Sequence, residues 1–125
     1  MNTTSEKSNK QFIQDYFSAL SGHDKTKELC EKYITDEALL QHIYFFEAGF
    51  PRYEILADEM TEEGDRVVVK CTCRATHSQD WNGMPASHKT AEFPFVVSYT
   101  VKDNKIVDHW ILIDQMSMMN QLQNS

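Results

Sequence analysis

The chain has 125 residues, a formal net charge of −7, 41% hydrophobic and 25% charged residues. That is one domain, residues 1–125, with enough chain for a single hydrophobic core and too much apolar content for disorder. The acidic balance repels phosphate backbones and anionic lipid, which argues against nucleic acid and membrane surfaces as partners.

The start, Met1–Lys10, is polar and lacks the apolar stretch of a secretory signal. Thr3 and Glu6 have capping-box spacing. Phe12, Ile13, Tyr16, Phe17 and Leu20 then recur at helical spacing, with Gly22 placed as a C-cap. A second, shorter helix fits Lys25–Tyr33, turning Leu29, Cys30 and Tyr33 inward with Ile34. Asp36 is placed to cap a third helix with the stripe Leu39, Leu40, Ile43, Phe46 and Phe50. Pro51 ends it, because the residue before a proline is pushed out of the α region.

The second half reads as β. Tyr53–Met60 is a first strand, and Glu62–Asp65 a turn in which Gly64 supplies a positive φ. Arg66–His77 alternates strictly: Val67, Val69, Cys71, Cys73, Ala75 and His77 on one face, Val68, Lys70, Thr72, Arg74 and Thr76 on the other. Ser78–Thr90 is a loop holding Trp81, Gly83 and Pro85. Ala91–Lys102 is a long strand in which Pro94 marks a bulge or an edge position. Asp103–Asn104 turns the chain into Lys105–Ile113, and Met116, Met119 and Leu122 give a short amphipathic tail helix. Helices followed by an antiparallel meander predict an α+β fold with the helices on one face of the sheet.

The cysteines are Cys30, Cys71 and Cys73. Cys71 and Cys73 share a strand face and cannot bridge without breaking the strand. Buried reduced thiols, and so a cytoplasmic protein, are the simplest reading. No second cysteine pair or H-x-x-x-H spacing supports a metal, and no phosphate loop or dinucleotide fingerprint supports a cofactor.

Several segments carry a family resemblance: Phe12–Phe17, Glu63–Lys70, Thr76–His77, Asn82–Ser87 (NGMPAS), Asn104–Trp110 (NKIVDHW) and Asp114–Leu122. In order and spacing the chain resembles the SnoaL-like polyketide cyclase or ester cyclase family of the nuclear transport factor 2-like superfamily. The resemblance implies a cone-shaped α+β barrel: a strongly bent antiparallel sheet around three helices, with a pocket between them. It also implies homodimers through the outer sheet face, where Thr72, Thr76, Ser98 and Thr100 are polar but uncharged. Two departures stand out. The family's short strand between the second and third helices has almost no room between Tyr33 and Asp36. The acid/base Asp of the polyketide cyclases falls at Ile111, and a cooperating His falls at Val97, so cyclase activity is not inherited by name.

His109 is the first catalytic candidate. On strand alternation it shares a face with Val107, Ile111 and Ile113, where an imidazole on an apolar wall acts as a base near neutral pH. The plainer reading is a core histidine satisfied by a neighbour. Asp114, at the strand's end, is either a general base, as in the ketosteroid isomerase of the same superfamily, or simply a helix N-cap. Tyr16, Tyr44 and Tyr99 are oxyanion donors or ordinary core aromatics. Tyr16, Phe46, Phe95, Tyr99 and Ile111 are the expected ligand-facing positions. His42, one turn from Phe46, is a ligand position if it points into the cavity and not to solvent, and His77 and Trp81 flank a loop that could form a lid over a flat ligand. Two functions follow. One is a cofactor-free acid/base enzyme (cyclase, isomerase or hydrolase) acting on an apolar carbonyl compound. The other is a non-catalytic small-ligand or dimerisation module of the same fold.

Overall fold

A computed structural model describes residues 8–123. Helix α1 (Asn9–Leu20) starts where Ser8 Oγ accepts the Gln11 N–H at 3.0 Å. This satisfies one of the donors a helix start leaves unpaired, worth about 1 kcal/mol. The expected caps Thr3 and Glu6 lie outside the described residues. Phe12, Ile13, Tyr16, Phe17 and Leu20 are all buried. Gly22 follows the C-cap with φ +74 and donates its N–H to Tyr53 O at 3.1 Å.

The second helix is shorter than its expected span. α2 covers Lys27–Glu31 and is capped by Thr26, whose Oγ1 accepts from Leu29 N at 3.1 Å. Lys25 turns inward instead of joining the helix. Its Nζ donates to Tyr53 O (2.8 Å) and His23 O (3.0 Å), pairs with Glu47 Oε1 (3.4 Å) and sits 4.0 Å from the Tyr53 ring centre. Burial holds its pKa below the usual lysine value, with Glu47 opposing the shift. This strap fixes the α1–α2 turn to the start of the sheet. Helix α3 (Glu37–Gly49) is capped by Asp36, whose Oδ1 accepts from Leu39 N at 3.3 Å.

Four antiparallel strands follow in the order β1 (Glu54–Glu63), β2 (Arg66–Thr76), β3 (Thr90–Lys102) and β4 (Lys105–Ile113), and α4 (Gln115–Gln123) closes the chain. The sheet is curved and unclosed, with the helices on one side. Bulges at Asp58 in β1 and Val107 in β4 contribute to the bend, since the registers step at Ala57/Glu59 and at Thr100/Val101. β2 and β3 keep strict alternation, and their inner faces make the core with α1 and α3. The interstrand turn places Gly64 at φ +58, as its position requires. None of the described helices is long and apolar enough to cross a membrane.

Several expectations need correction. Pro94 makes no bulge. Its carbonyl accepts from Asp114 N at 3.2 Å, so its missing N–H points to the side where β4 has already ended at Ile113. The bulge at Val107 removes that residue from the inner face, leaving His109, Ile111 and Ile113 inward. In α4 the buried residues are Met118 and Leu122, one turn apart, while Met116 is 75% exposed. The family's short strand shrinks to one parallel bridge, Ile34 to Ile106. The outer face is not merely polar. Val68 and Trp110 flank Ser98 in one row of paired residues, and Val96 and Leu112 pair in the next.

Candidate functional site

The concave face of the sheet is not filled. A cavity of about 230 Å³ lies between it, α3 and α4. Its floor is Tyr16 from α1, Tyr53, and Cys73 and Tyr99 from β2 and β3, all buried. Leu39, Ile43 and Phe46 form one side because steps of four and three keep them on one stripe of α3. Phe93 and Phe95 of β3 and Ile111 and Ile113 of β4 form the other, since alternate strand residues share a face. Phe45, Asn82 and Gln115 reach solvent and mark the mouth.

No Asp, Glu, Lys or Arg is among the lining residues. The titratable groups present favour their neutral forms at neutral pH. Burial pushes the Cys73 thiol up to about 12, with Lys25 opposing. Burial also raises the phenols of Tyr16, Tyr53 and Tyr99, and the rings of Tyr16 and Tyr99 meet edge to face with centres 5.7 Å apart. His42 is the lining group that titrates nearest neutrality. Burial holds its pKa below the usual histidine value, and the nearby His109 adds to the shift. His42 makes no side-chain hydrogen bond to the other described residues, so its ring nitrogens are available to a ligand.

Tyr16, His42, Phe46, Trp81, Phe95, Tyr99 and Ile111 all border this one cavity. The remaining candidates lie elsewhere. His109 is on the inner face of β4 but does not border the cavity; its Nδ1 stands 2.7 Å from Asp36 Oδ2. Asp114 is exposed and caps α4 by accepting from Ser117 N at 3.0 Å. His77 is 1% exposed and stacks on Phe50 with ring centres 5.0 Å apart, outside the lining. Its Nδ1 accepts from Ser87 N at 3.3 Å, which assigns the ring proton to Nε2, an atom buried without a partner among the described residues. The Tyr44 hydroxyl is likewise buried and unpaired, and Tyr44 does not line the cavity.

Cys73, Tyr53 and Gln115 are lining residues the sequence did not single out. Cys73 carried a signal, since it alternates with the core positions of β2. Gln115 carried none: it sits where β4 hands over to α4. No group of three or more His, Cys, Asp or Glu among the described residues stands close enough to hold a metal ion.

The model of the SnoaL-like polyketide cyclase family matches residues 3–122. No curated protein matches the chain. Solved structures that are similar include a candidate SnoaL-like polyketide cyclase from Jannaschia sp. CCS1, at 20% identity, covering 100% of this chain and 98% of that one, with a TM-score of 0.81. A candidate polyketide cyclase from Acidithiobacillus ferrooxidans is also 20% identical, covers 98% of both chains and has a TM-score of 0.80. IdmH, a candidate polyketide cyclase from Streptomyces antibioticus, is 22% identical over 93% of this chain and 99% of its own, at a TM-score of 0.77. At these identities the likeness is one of fold.

Proposed function

The chain belongs to the SnoaL-like polyketide cyclase family, and from that premise we propose that it is a small-molecule enzyme acting on a neutral, apolar carbonyl compound by cofactor-free acid/base chemistry. The observation that carries this reading is a cavity with no charged side chain and one lining imidazole, His42, whose pKa burial holds below the usual histidine value. A charged ligand would lose its hydration there and meet no counter-charge. A neutral His42 takes the proton from a carbon next to the ligand carbonyl. Tyr16 and Tyr99 both line the cavity, and a phenol O–H from this pair hydrogen-bonds the developing enolate oxygen. Return of the proton from His42 at another carbon gives isomerisation. Attack of the enolate carbon on a second carbonyl, with the proton passed to the new alkoxide, gives ring closure. His109, paired with Asp36 outside the lining, influences His42 electrostatically, and Asp114 drops out of the acid/base set because it caps α4 in solvent.

A ligand panel tests the reading. Acetophenone should raise the melting temperature, and benzoate, which has the same ring but is charged, should not. Equal stabilisation by both would remove the basis for a neutral substrate.

The second reading is a binding module without turnover. Ile111, which stands in the wall at the position implied for the family's acid/base Asp, favours it. Binding of acetophenone without exchange of its α-protons would select this reading.

We also propose that the chain forms a homodimer through the outer sheet face, where Trp110 is 58% and Leu112 61% exposed beside Val68. A monomer in sedimentation at micromolar concentration, indistinguishable from Trp110→Lys, would contradict this. The free, buried Cys30, Cys71 and Cys73 suit a reducing, cytoplasmic compartment.

A further inference from the structure

The loop over the cavity is tied down at several points. Trp81 and Met84 exchange backbone hydrogen bonds of 2.9 and 2.8 Å around Asn82 (φ +50) and Gly83 (φ +81), the positive-φ pair of a tight two-residue hairpin. Gln79 N donates to Gly49 O at 3.3 Å, and Asp80 Oδ1 accepts from Ala86 N at 2.9 Å. The indole is fixed as firmly as the backbone. Its Nε1 donates to Phe45 O at 2.8 Å, and its ring lies 5.0 Å from Phe45, 5.7 Å from Phe46 and 5.2 Å from Phe50. It rests directly on Gly49, where an added Cβ would collide with the Trp81 Cβ.

We infer that Trp81 is a specificity-determining residue: a fixed wall, seated on Gly49, that restricts the cavity to ligands of about one ring. The inference rests on the proposed neutral-ligand site and names its size class. A cavity of about 150 Å³ holds benzene, so by proportion this one holds roughly nine heavy atoms. A lid would need free edges and a hinge, whereas the one polar atom of this indole is bonded and its ring packs on Phe45, Phe46 and Phe50.

The test is the affinity of acetophenone against 2-acetonaphthone, a neutral methyl ketone with one more fused ring, measured by titration calorimetry on wild type, Trp81→Leu and Trp81→Ala. Wild type should prefer acetophenone by about tenfold or more, the scale at which pocket shape discriminates. The variants should narrow the ratio to below about threefold, chiefly by tighter naphthone binding. Trp81→Leu keeps an apolar wall should Trp81→Ala fold poorly, and the wild-type ratio needs no variant at all. Wild type that binds both ketones equally, or a ratio unmoved in Trp81→Leu, overturns the wall and leaves the neutral-ligand site standing. Failure of both ketones to bind all three proteins overturns both.

Discussion

Asp36 Oδ2 stands 2.7 Å from His109 Nδ1, while the other oxygen of the same carboxylate caps α3 at Leu39 N. One side chain therefore ties the helix that carries His42 to the strand that carries His109. Both partners are about nine-tenths buried, so the contact is little screened by solvent. Asp36→Ala removes a cap worth about 1 kcal/mol and a charge-assisted bond worth about 1.5–3 kcal/mol. A loss of about 3 kcal/mol in urea denaturation is expected. Asp36→Asn keeps a good cap residue and should lose about half as much; no loss at all in Asp36→Asn would show that the charged contact to His109 contributes nothing.

His42 sets a pH dependence. Its folded pKa is depressed by burial and next by His109, so the folded state binds the proton less readily than the unfolded chain. The sign follows: the stability it contributes is present above the unfolded value of about 6.5 and falls away as pH drops through the lower folded pKa. His42→Leu should flatten that part of the stability–pH curve. His109→Ala removes the second cause and should move the His42 NMR titration midpoint upward. A midpoint above 6.5 in wild type would contradict the burial argument.

Gly49→Ala sets two effects against each other. Alanine gains about 1 kcal/mol in a helix, but its Cβ collides with Trp81, and overpacking costs about 1–3 kcal/mol. Because the obstacle includes the Trp81 Cβ, the loop itself must move, and a net loss of about 1–2 kcal/mol is expected with a red shift in tryptophan fluorescence. A more stable variant with unchanged fluorescence would show that the loop yields freely.

The Tyr16–Tyr99 pair gives a double-mutant test. Tyr16 and Tyr99 are buried with ring centres 5.7 Å apart, and removing one buried hydroxyl by Tyr99→Phe should cost about 1–3 kcal/mol. Removing both hydroxyls should cost less than the two single losses added together. Strict additivity in thermal melts would mean the phenols do not interact.

Much of the fold was legible because periodicity reports burial. The α1 and α3 stripes, the alternating faces of β2 and the Asp36 cap follow from spacing and local hydrogen-bond chemistry. The bulge at Val107 was not legible: one extra residue changes which side chains face inward, and no local residue preference marks it. The same limit governs the site. Tyr99 reaches the cavity through a regular strand, so spacing placed it, whereas the spacing of α3 left His42 between cavity and solvent and only the packed structure turns it inward. His109 lies on the expected face yet pairs with Asp36, a contact 73 positions away in sequence. Asp114 and Lys25 show local polar chemistry deciding the outcome, one as a helix cap and one as a buried strap.

The central claim is that His42 is the proton acceptor in a charge-free cavity. Deuterium wash-in at the methyl group of acetophenone, followed by proton NMR in D2O, measures it directly. The account predicts exchange above the buffer rate with wild type, loss of it in His42→Ala, and a slower rate with an altered pH profile in His109→Ala. Exchange that persists unchanged in His42→Ala, with acetophenone still bound, would contradict it.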